Sequence, residues 1–122
     1  MDARSVIFVY GTLKRGGTHH TLLRRQQFLG EARTPPGYTL YGLEGYPGMV
    51  PDEADTEGVT GEIWSVDAAC LAALDELEGI SEGLYRREAI TLRPPHDTQP
   101  VAAYVYARGV EGRPRLGSAW PV

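Results

Sequence analysis

Cysteine is almost missing from this chain. The single Cys70 excludes an internal disulfide framework and any multi-cysteine metal cage. Long apolar runs are missing as well. Val6 to Tyr10, the longest near the N-terminus, is far too short for a secretion-signal core or a membrane span. Positive charge is in deficit, with 12 Lys and Arg against 16 Asp and Glu and a net charge of -4. A general grip on nucleic acid through phosphate neutralisation is therefore not expected. His19, His20 and His96 form no metal set, because neighbours on a helix point different ways and no HExxH spacing occurs. Ser5, Ser65, Ser81 and Ser118 lack the context of a nucleophile elbow. These absences lead to the expectation of a soluble, cytoplasmic protein without a multi-cysteine or histidine metal set.

At 122 residues the chain has room for one hydrophobic core, so residues 1–122 read as a single domain. Fifteen Gly and nine Pro are spread along it and read as punctuation between short elements. Seven Tyr stand against two Phe. Tyrosine buries a ring and keeps a polar tip, which suits a small domain with a wet internal cavity.

The periodicities give alternating strands and helices. Ser5 to Tyr10 is a β-branched run of a strand buried on both faces. A glycine-bounded loop, Gly11 to Gly17, follows it. A helix is predicted from His19 or His20 to about Phe28, capped by Thr18 and stopped by Gly30. Tyr38–Tyr41 and Val59–Val66 read as strands, with Gly61 marking a bulge or a close approach. Gly45 to Gly48 reads as a turn and 52–57 as an acidic loop. Asp67 is a good N-cap for a helix over 68–78, with Gly79 in the place that ends it. Tyr85–Leu92 and Val101–Ala107 read as paired strands.

One residue breaks the pattern of the second helix. With about 100° per residue, Glu78 projects between Leu71 and Leu74 on the apolar arc, while Glu76 lies opposite. At the last turn an acid can simply be solvated. If partly buried, its pKa is raised, which suits a general base working near neutrality. The loop Tyr10-Gly11-Thr12-Leu13-Lys14-Arg15-Gly16-Gly17 offers backbone N–H groups to an anion or a polarised carbonyl oxygen. It fits neither a Walker loop nor a dinucleotide fingerprint, and an ordinary strand-to-helix connection is the plain alternative. Cys70 lies on the apolar arc and reads as a small core residue. Arg86-Arg87 beside Tyr85 could meet an acidic ligand or form a solvated strand edge.

Taken together, Val9-Tyr10-Gly11-Thr12-Leu13-Lys14-Arg15-Gly16, Leu74-Asp75-Glu76-Leu77-Glu78-Gly79 and Leu84-Tyr85-Arg86-Arg87 resemble the landmarks of the gamma-glutamylcyclotransferase-like family, in its order. The closest look is to short members of the gamma-glutamylamine cyclotransferase type. Gly45-Tyr46-Pro47 and Gly117-Ser118-Ala119-Trp120 also look like pieces of bacterial members. The resemblance implies an α+β fold: a curled mixed β-sheet or small barrel with two main helices around a cavity. It implies that Tyr10, Gly11, Thr12 and Leu13, with Tyr85, bind substrate and that Glu78 is the acid/base residue. It also implies an activity: cyclisation of a gamma-glutamyl amine or amino acid to 5-oxoproline by intramolecular aminolysis, with no metal or cofactor. Lys14 and Arg15 are then expected to add a positive field at the entrance. The partner would be a small gamma-glutamyl molecule, with no nucleic acid and no membrane. The rival expectation is a binding or interaction module that keeps the fold and pocket without turnover, and a nucleotide-binding loop protein is a distant third.

Overall fold

A computed structural model describes residues 4–121. In chain order the elements are β1 (Arg4–Val9), a 3-10 turn (His20–Leu23), β2 (Gln27–Arg33), β3 (Tyr38–Gly42) and β4 (Pro47–Pro51). They continue with β5 (Thr60–Asp67), α1 (Ala68–Leu77), β6 (Tyr85–Ile90), β7 (Val101–Tyr106) and β8 (Arg115–Gly117). The eight strands form one mixed sheet ordered β2-β5-β1-β7-β4-β3-β8, with β6 paired to β7.

β6 covers one edge of β7 over its whole length, from Tyr85 opposite Tyr106 to Ile90 opposite Val101. The other edge is shared. β1 runs parallel to β7 with Ile7 and Phe8 opposite Ala102 and Ala103. β4 takes over with Met49 opposite Val105. Two strands cannot occupy the same edge, so β1 peels away after Phe8. The Tyr10 hydroxyl fills the gap: it donates to the Tyr104 carbonyl at 2.5 Å and accepts from the Met49 N–H at 3.1 Å. Two backbone groups that the split would otherwise leave buried and unpaired are satisfied by one side chain.

The sheet curls strongly without closing into a barrel. Five strand spacings separate β5 from β8, roughly 24 Å in a flat sheet. Yet the carbonyl of Ser118, just past β8, accepts the Thr60 N–H of β5 at 2.8 Å. β1 and β7 alternate between two core clusters. Ile7, Val9, Tyr104 and Tyr106 join Trp64, Cys70 and Leu74 on the face that carries α1. Phe8, Tyr10, Ala103 and Val105 join Leu40, Met49 and Ile63 on the other. β1 is thus buried on both faces at its C-terminal half, as its sequence predicts.

The first predicted helix is not there. Only His20–Leu23 turns helically, and only as a 3-10 turn. Phe28 lies in β2, opposite Trp64 of β5. A segment whose apolar face is little more than Leu22 and Leu23 has too small an interface for a helix of two or three turns. Pairing with β5 satisfies the backbone of 27–33 instead, and Phe28 packs against the Trp64 ring at 5.3 Å. Gly30, which the pattern suggests as a helix stop, sits at a β-bulge with φ +147°. Among the described residues there is therefore one α-helix where the sequence predicts two. β8 has no counterpart in the sequence pattern, and Pro47-Gly48 opens β4 where that pattern suggests a turn.

Gly61 is a close approach, as expected. A Cβ there would lie 2.3 Å from the Val9 carbonyl oxygen and 2.8 Å from the Phe8 ring. Neither neighbour is free to move, one being backbone and the other a fully buried ring. Gly61→Ala is expected to cost about 1–3 kcal/mol of stability, measured as a lowered denaturant midpoint with unchanged slope.

Candidate active site

The end of α1 is built around one glycine. Asp67 starts the helix by accepting the Cys70 N–H at 2.8 Å. At the other end Gly79 takes φ +63°, its N–H donates to the Glu76 carbonyl at 3.1 Å, and the Ile80 N–H reaches back to Asp75 at 3.1 Å. This is the Schellman closure, which calls for glycine at that position. Glu78 is the residue just before it, with its own N–H on the Leu74 carbonyl at 2.9 Å. Asp75, one turn earlier, ties the helix to the sheet: it accepts the Tyr104 hydroxyl at 2.7 Å and pairs with the Arg87 guanidinium. The direction of Glu78 is thus fixed by the cap and by two strands.

Glu78 points into a cavity of about 200 Å³. Tyr10, Gly11, Thr12, Leu13 and Tyr85 line the same cavity, so the structure brings together every residue that the resemblance singles out. Burial raises the Glu78 carboxyl from the ordinary 4.5 to about 7. No hydrogen bond or opposite charge, among the described residues, offsets that burial.

Across the cavity the chain leaving β1 presents successive buried amides. Gly11, Thr12 and Leu13 are all buried. Among the described residues, their N–H groups donate to no protein acceptor, whereas those of Lys14, Gly17 and His19 do, to Gly11, Lys14 and Thr12 carbonyls. Two glycines make this conformation possible. A Cβ at Gly11 would lie 2.7 Å from Pro47, and one at Gly17 would lie 2.2 Å from the Thr12 carbonyl oxygen. Buried N–H groups are almost always paired in a folded protein, so three neighbours without a protein acceptor beside a cavity stand out, and their chemistry suits a negative or polarised oxygen.

The tyrosines serve as walls. Tyr85 donates its hydroxyl to the Pro47 carbonyl at 2.7 Å, Tyr104 donates to Asp75, and Tyr10 to the Tyr104 carbonyl. All three donor protons are already placed, so these residues offer a ligand their ring faces and hydroxyl lone pairs. Burial pushes all three phenols up, with the Glu78 charge contributing, and they stay neutral. Four of the seven tyrosines line the cavity, in keeping with the composition.

The remaining candidates fall elsewhere. Cys70 is buried outside the cavity, its thiol pushed up by burial, with Sγ toward the Leu22 carbonyl at 3.4 Å. Lys14 and Arg15 do not face the cavity entrance, contrary to expectation. Lys14 donates to the Trp120 carbonyl at 2.6 Å, and Arg15 pairs with buried Glu62 at 3.0 Å. The chain reverses between Leu13 and Lys14, so side chains after the turn point to the far side. Two further residues of the cavity, His19 and Tyr104, carry no sequence signal that singles them out, and Leu84, part of a quoted landmark, lines it too. His19 contacts the Thr12 hydroxyl at 2.8 Å through Nδ1 and lines the cavity. Nothing in the His19-His20 pair distinguishes the residue beside the cavity from its neighbour, which packs on Trp64. Among the described residues, no three His, Cys, Asp or Glu side chains are grouped to hold a metal ion, and no helix is long and apolar enough to cross a membrane.

A raised carboxyl is a stability cost with a definite sign. Below pH 4.5 Glu78 is protonated both folded and unfolded, and the cost vanishes. Between 4.5 and 7 only the unfolded chain ionises readily, so stability falls as pH rises. Above 7 the full difference applies, about 3 kcal/mol. Glu78→Gln is neutral at every pH. It is expected to be more stable than the parent by up to about 3 kcal/mol at about pH 8 and nearly equal at about pH 4, read from denaturant midpoints.

The profile of the family described as "Gamma-glutamyl cyclotransferase, AIG2-like" matches residues 7–121. A Vibrio cholerae protein provisionally named a gamma-glutamylcyclotransferase is 42% identical over 101 residues, covering 83% of this chain and 81% of its own. The gamma-glutamylcyclotransferase family protein YtfP of Escherichia coli is 39% identical over 108 residues, covering 87% and 86%. Among solved structures, an AIG2-like protein of Mus musculus superposes with a TM-score of 0.76 at 30% identity, over 92% of this chain and 85% of that one. The fold, the ordered motifs and these likenesses agree: the chain belongs to the gamma-glutamyl cyclotransferase, AIG2-like family.

Proposed function

We propose that this protein is a cyclotransferase that converts a gamma-glutamyl amine or gamma-glutamyl amino acid to 5-oxoproline and releases the amine, with Glu78 as the acid/base group. The observation that carries the reading is the placement of one sheltered carboxyl and three unpaired amides around a single cavity of about 200 Å³.

In such a substrate the nucleophile and the electrophile belong to one molecule. Its α-ammonium must lose a proton before the nitrogen can attack. A carboxylate titrating at about 7 is a far better acceptor than an ordinary glutamate, and it is still ionised in part of the population at neutral pH. Once deprotonated, the amine attacks the side-chain carbonyl carbon and closes a five-membered ring. Negative charge passes to the carbonyl oxygen. The proton held by Glu78 then goes to the departing nitrogen as its bond to carbon breaks. The ring nitrogen, still carrying one proton too many, gives it to the regenerated Glu78 carboxylate, which passes it to the released amine. A lactam N–H and an ammonium result, Glu78 ends as it began, and no enzyme nucleophile is needed. Amides of Gly11, Thr12 and Leu13 receive negative oxygen of the substrate, and as fixed dipoles they need no reorganisation when charge develops. Rings of Tyr10, Tyr85 and Tyr104 confine the glutamyl chain to a folded conformer, an orientation effect that contributes several kcal/mol.

The reading predicts a pH profile with a defined origin. Glu78 must start as the base, so kcat/KM should rise with pH through about 7, the value at which burial places this group. The test incubates the protein with a panel of gamma-glutamyl amines and gamma-glutamyl amino acids and measures 5-oxoproline. Glu78→Gln is expected to lower kcat by about 10²–10⁴-fold with the fold intact. Equal 5-oxoproline formation by parent and variant would overturn the role of Glu78. Saturable binding across the panel with no 5-oxoproline would turn the protein into a binding module.

A further inference from the structure

On the far side of the Lys14–Arg15 turn lies an open groove of about 780 Å³, between β2, the start of β5 and the segment 93–96. It carries Lys14, Arg15, Arg33 and Arg93 against two carboxylates, Glu31 and Glu62, in a protein whose net charge is -4. The local excess of positive charge is therefore opposite to the whole.

Its acids are taken by one residue. Arg15 holds Glu62 at 3.0 Å and reaches Glu31 at 3.6 Å. Arg33 and Arg93 are arranged differently. Arg33 donates through Nε to the Glu57 carbonyl at 2.7 Å. Arg93 donates through Nη2 to the same carbonyl at 2.6 Å, and through Nε to the Thr34 carbonyl at 2.8 Å. Two guanidinium groups converge on one neutral oxygen. Neither pairs with a carboxylate, among the described residues, which is also true of Arg4, Arg24, Arg25, Arg108 and Arg113; the convergence on one oxygen is what sets these two apart. A carbonyl dipole orients two cations but cannot neutralise them. Both residues are half-buried along their stems, and the guanidinium groups meet at Glu57 where they are open to solvent and to a ligand. Their backbones are also locked together, with the Arg93 N–H on the Arg33 carbonyl at 2.9 Å.

We propose that Arg33 and Arg93 form a binding site for a phosphate dianion, either free or as the end of a small phosphomonoester. A dianion balances two convergent guanidinium groups, whereas one carboxylate leaves a full charge over. The fixed carbonyl contacts leave other N–H donors of each fork for oxygen, the geometry in which arginine exceeds lysine. The open groove leaves room for an organic body beyond the phosphate. This site lies apart from Glu78 and shares no lining residue with its cavity.

The test follows the Nε–H resonances of Arg33 and Arg93 by NMR while inorganic phosphate, glycerol 3-phosphate or acetate is added at constant ionic strength. Saturable shifts are expected with the phosphates, at least about tenfold tighter than with acetate, with the resonance of Arg86 unmoved. Tighter binding of glycerol 3-phosphate assigns the site to phosphomonoesters, and equal binding assigns it to free phosphate. Arg93→Lys keeps the charge and loses the fork, and is expected to weaken binding about tenfold. Because Arg93 also pins two carbonyls, His96→Glu provides a second variant. It puts an anion in the groove without touching either arginine's contacts, and should weaken binding by at least a similar factor. Acetate matching phosphate, or His96→Glu binding as the parent does, would overturn the proposal.

Discussion

β7 gives one of its edges to two strands, β1 and β4, and the cavity exists because of that division. Because β4 takes over that edge at Val105, β1 has to leave it after Phe8, and the chain beyond β1 is released to turn across Pro47. The amides of Gly11, Thr12 and Leu13 fall in the turn that follows, without a protein acceptor among the described residues, and a hollow opens beside them. The Tyr10 hydroxyl makes the split tolerable by serving the two backbone groups left over. Tyr85 stiffens the far wall by crossing from β6 to the Pro47 carbonyl. The unpaired amides are thus a product of sheet topology, held by hydrogen bonds that no ligand needs to supply.

Against that wall the helix end sets a group in conflict with its surroundings. A carboxyl facing rings and leucines loses hydration, and nothing in the cavity returns it. The Schellman closure and the Asp75 contacts to Tyr104 and Arg87 hold the backbone from which Glu78 enters the cavity. Strain of this kind is typical of a group kept for chemistry, and the stability it forgoes is recovered by a core that runs on both faces of β1 and β7.

Much of this is legible in the sequence where local and tertiary preferences agree. Asp67 and Gly79 mark the ends of α1 because capping chemistry is local. The doubly buried β1, the β6–β7 pair and the close approach at Gly61 follow from runs of β-branched residues and from a glycine in a strand. Glu78 shows itself as a misplaced acid, because an amphipathic helix makes its exceptions visible. The segment 18–33 misleads because its fate is decided by Trp64 and β5, far along the chain, and its own residues prefer neither state strongly. β8 is three residues long and exists through Leu40 and Tyr41. Lys14 and Arg15 end on the unexpected side because a turn at Leu13 reverses direction without a composition signal. The pairing of Arg33 with Arg93 joins two distant parts of the chain through one carbonyl, which no spacing rule reveals.

Whether Glu78 is largely shielded from water beside the amide row is read directly from the titration of its own carboxyl carbon. In a protein labelled with ¹³C at glutamate Cδ, the Glu78 resonance is identified by its loss in Glu78→Gln. A midpoint near 7 is expected for this resonance, set apart from the exposed glutamates. A midpoint at the ordinary 4.5 would place Glu78 in solvent and contradict it.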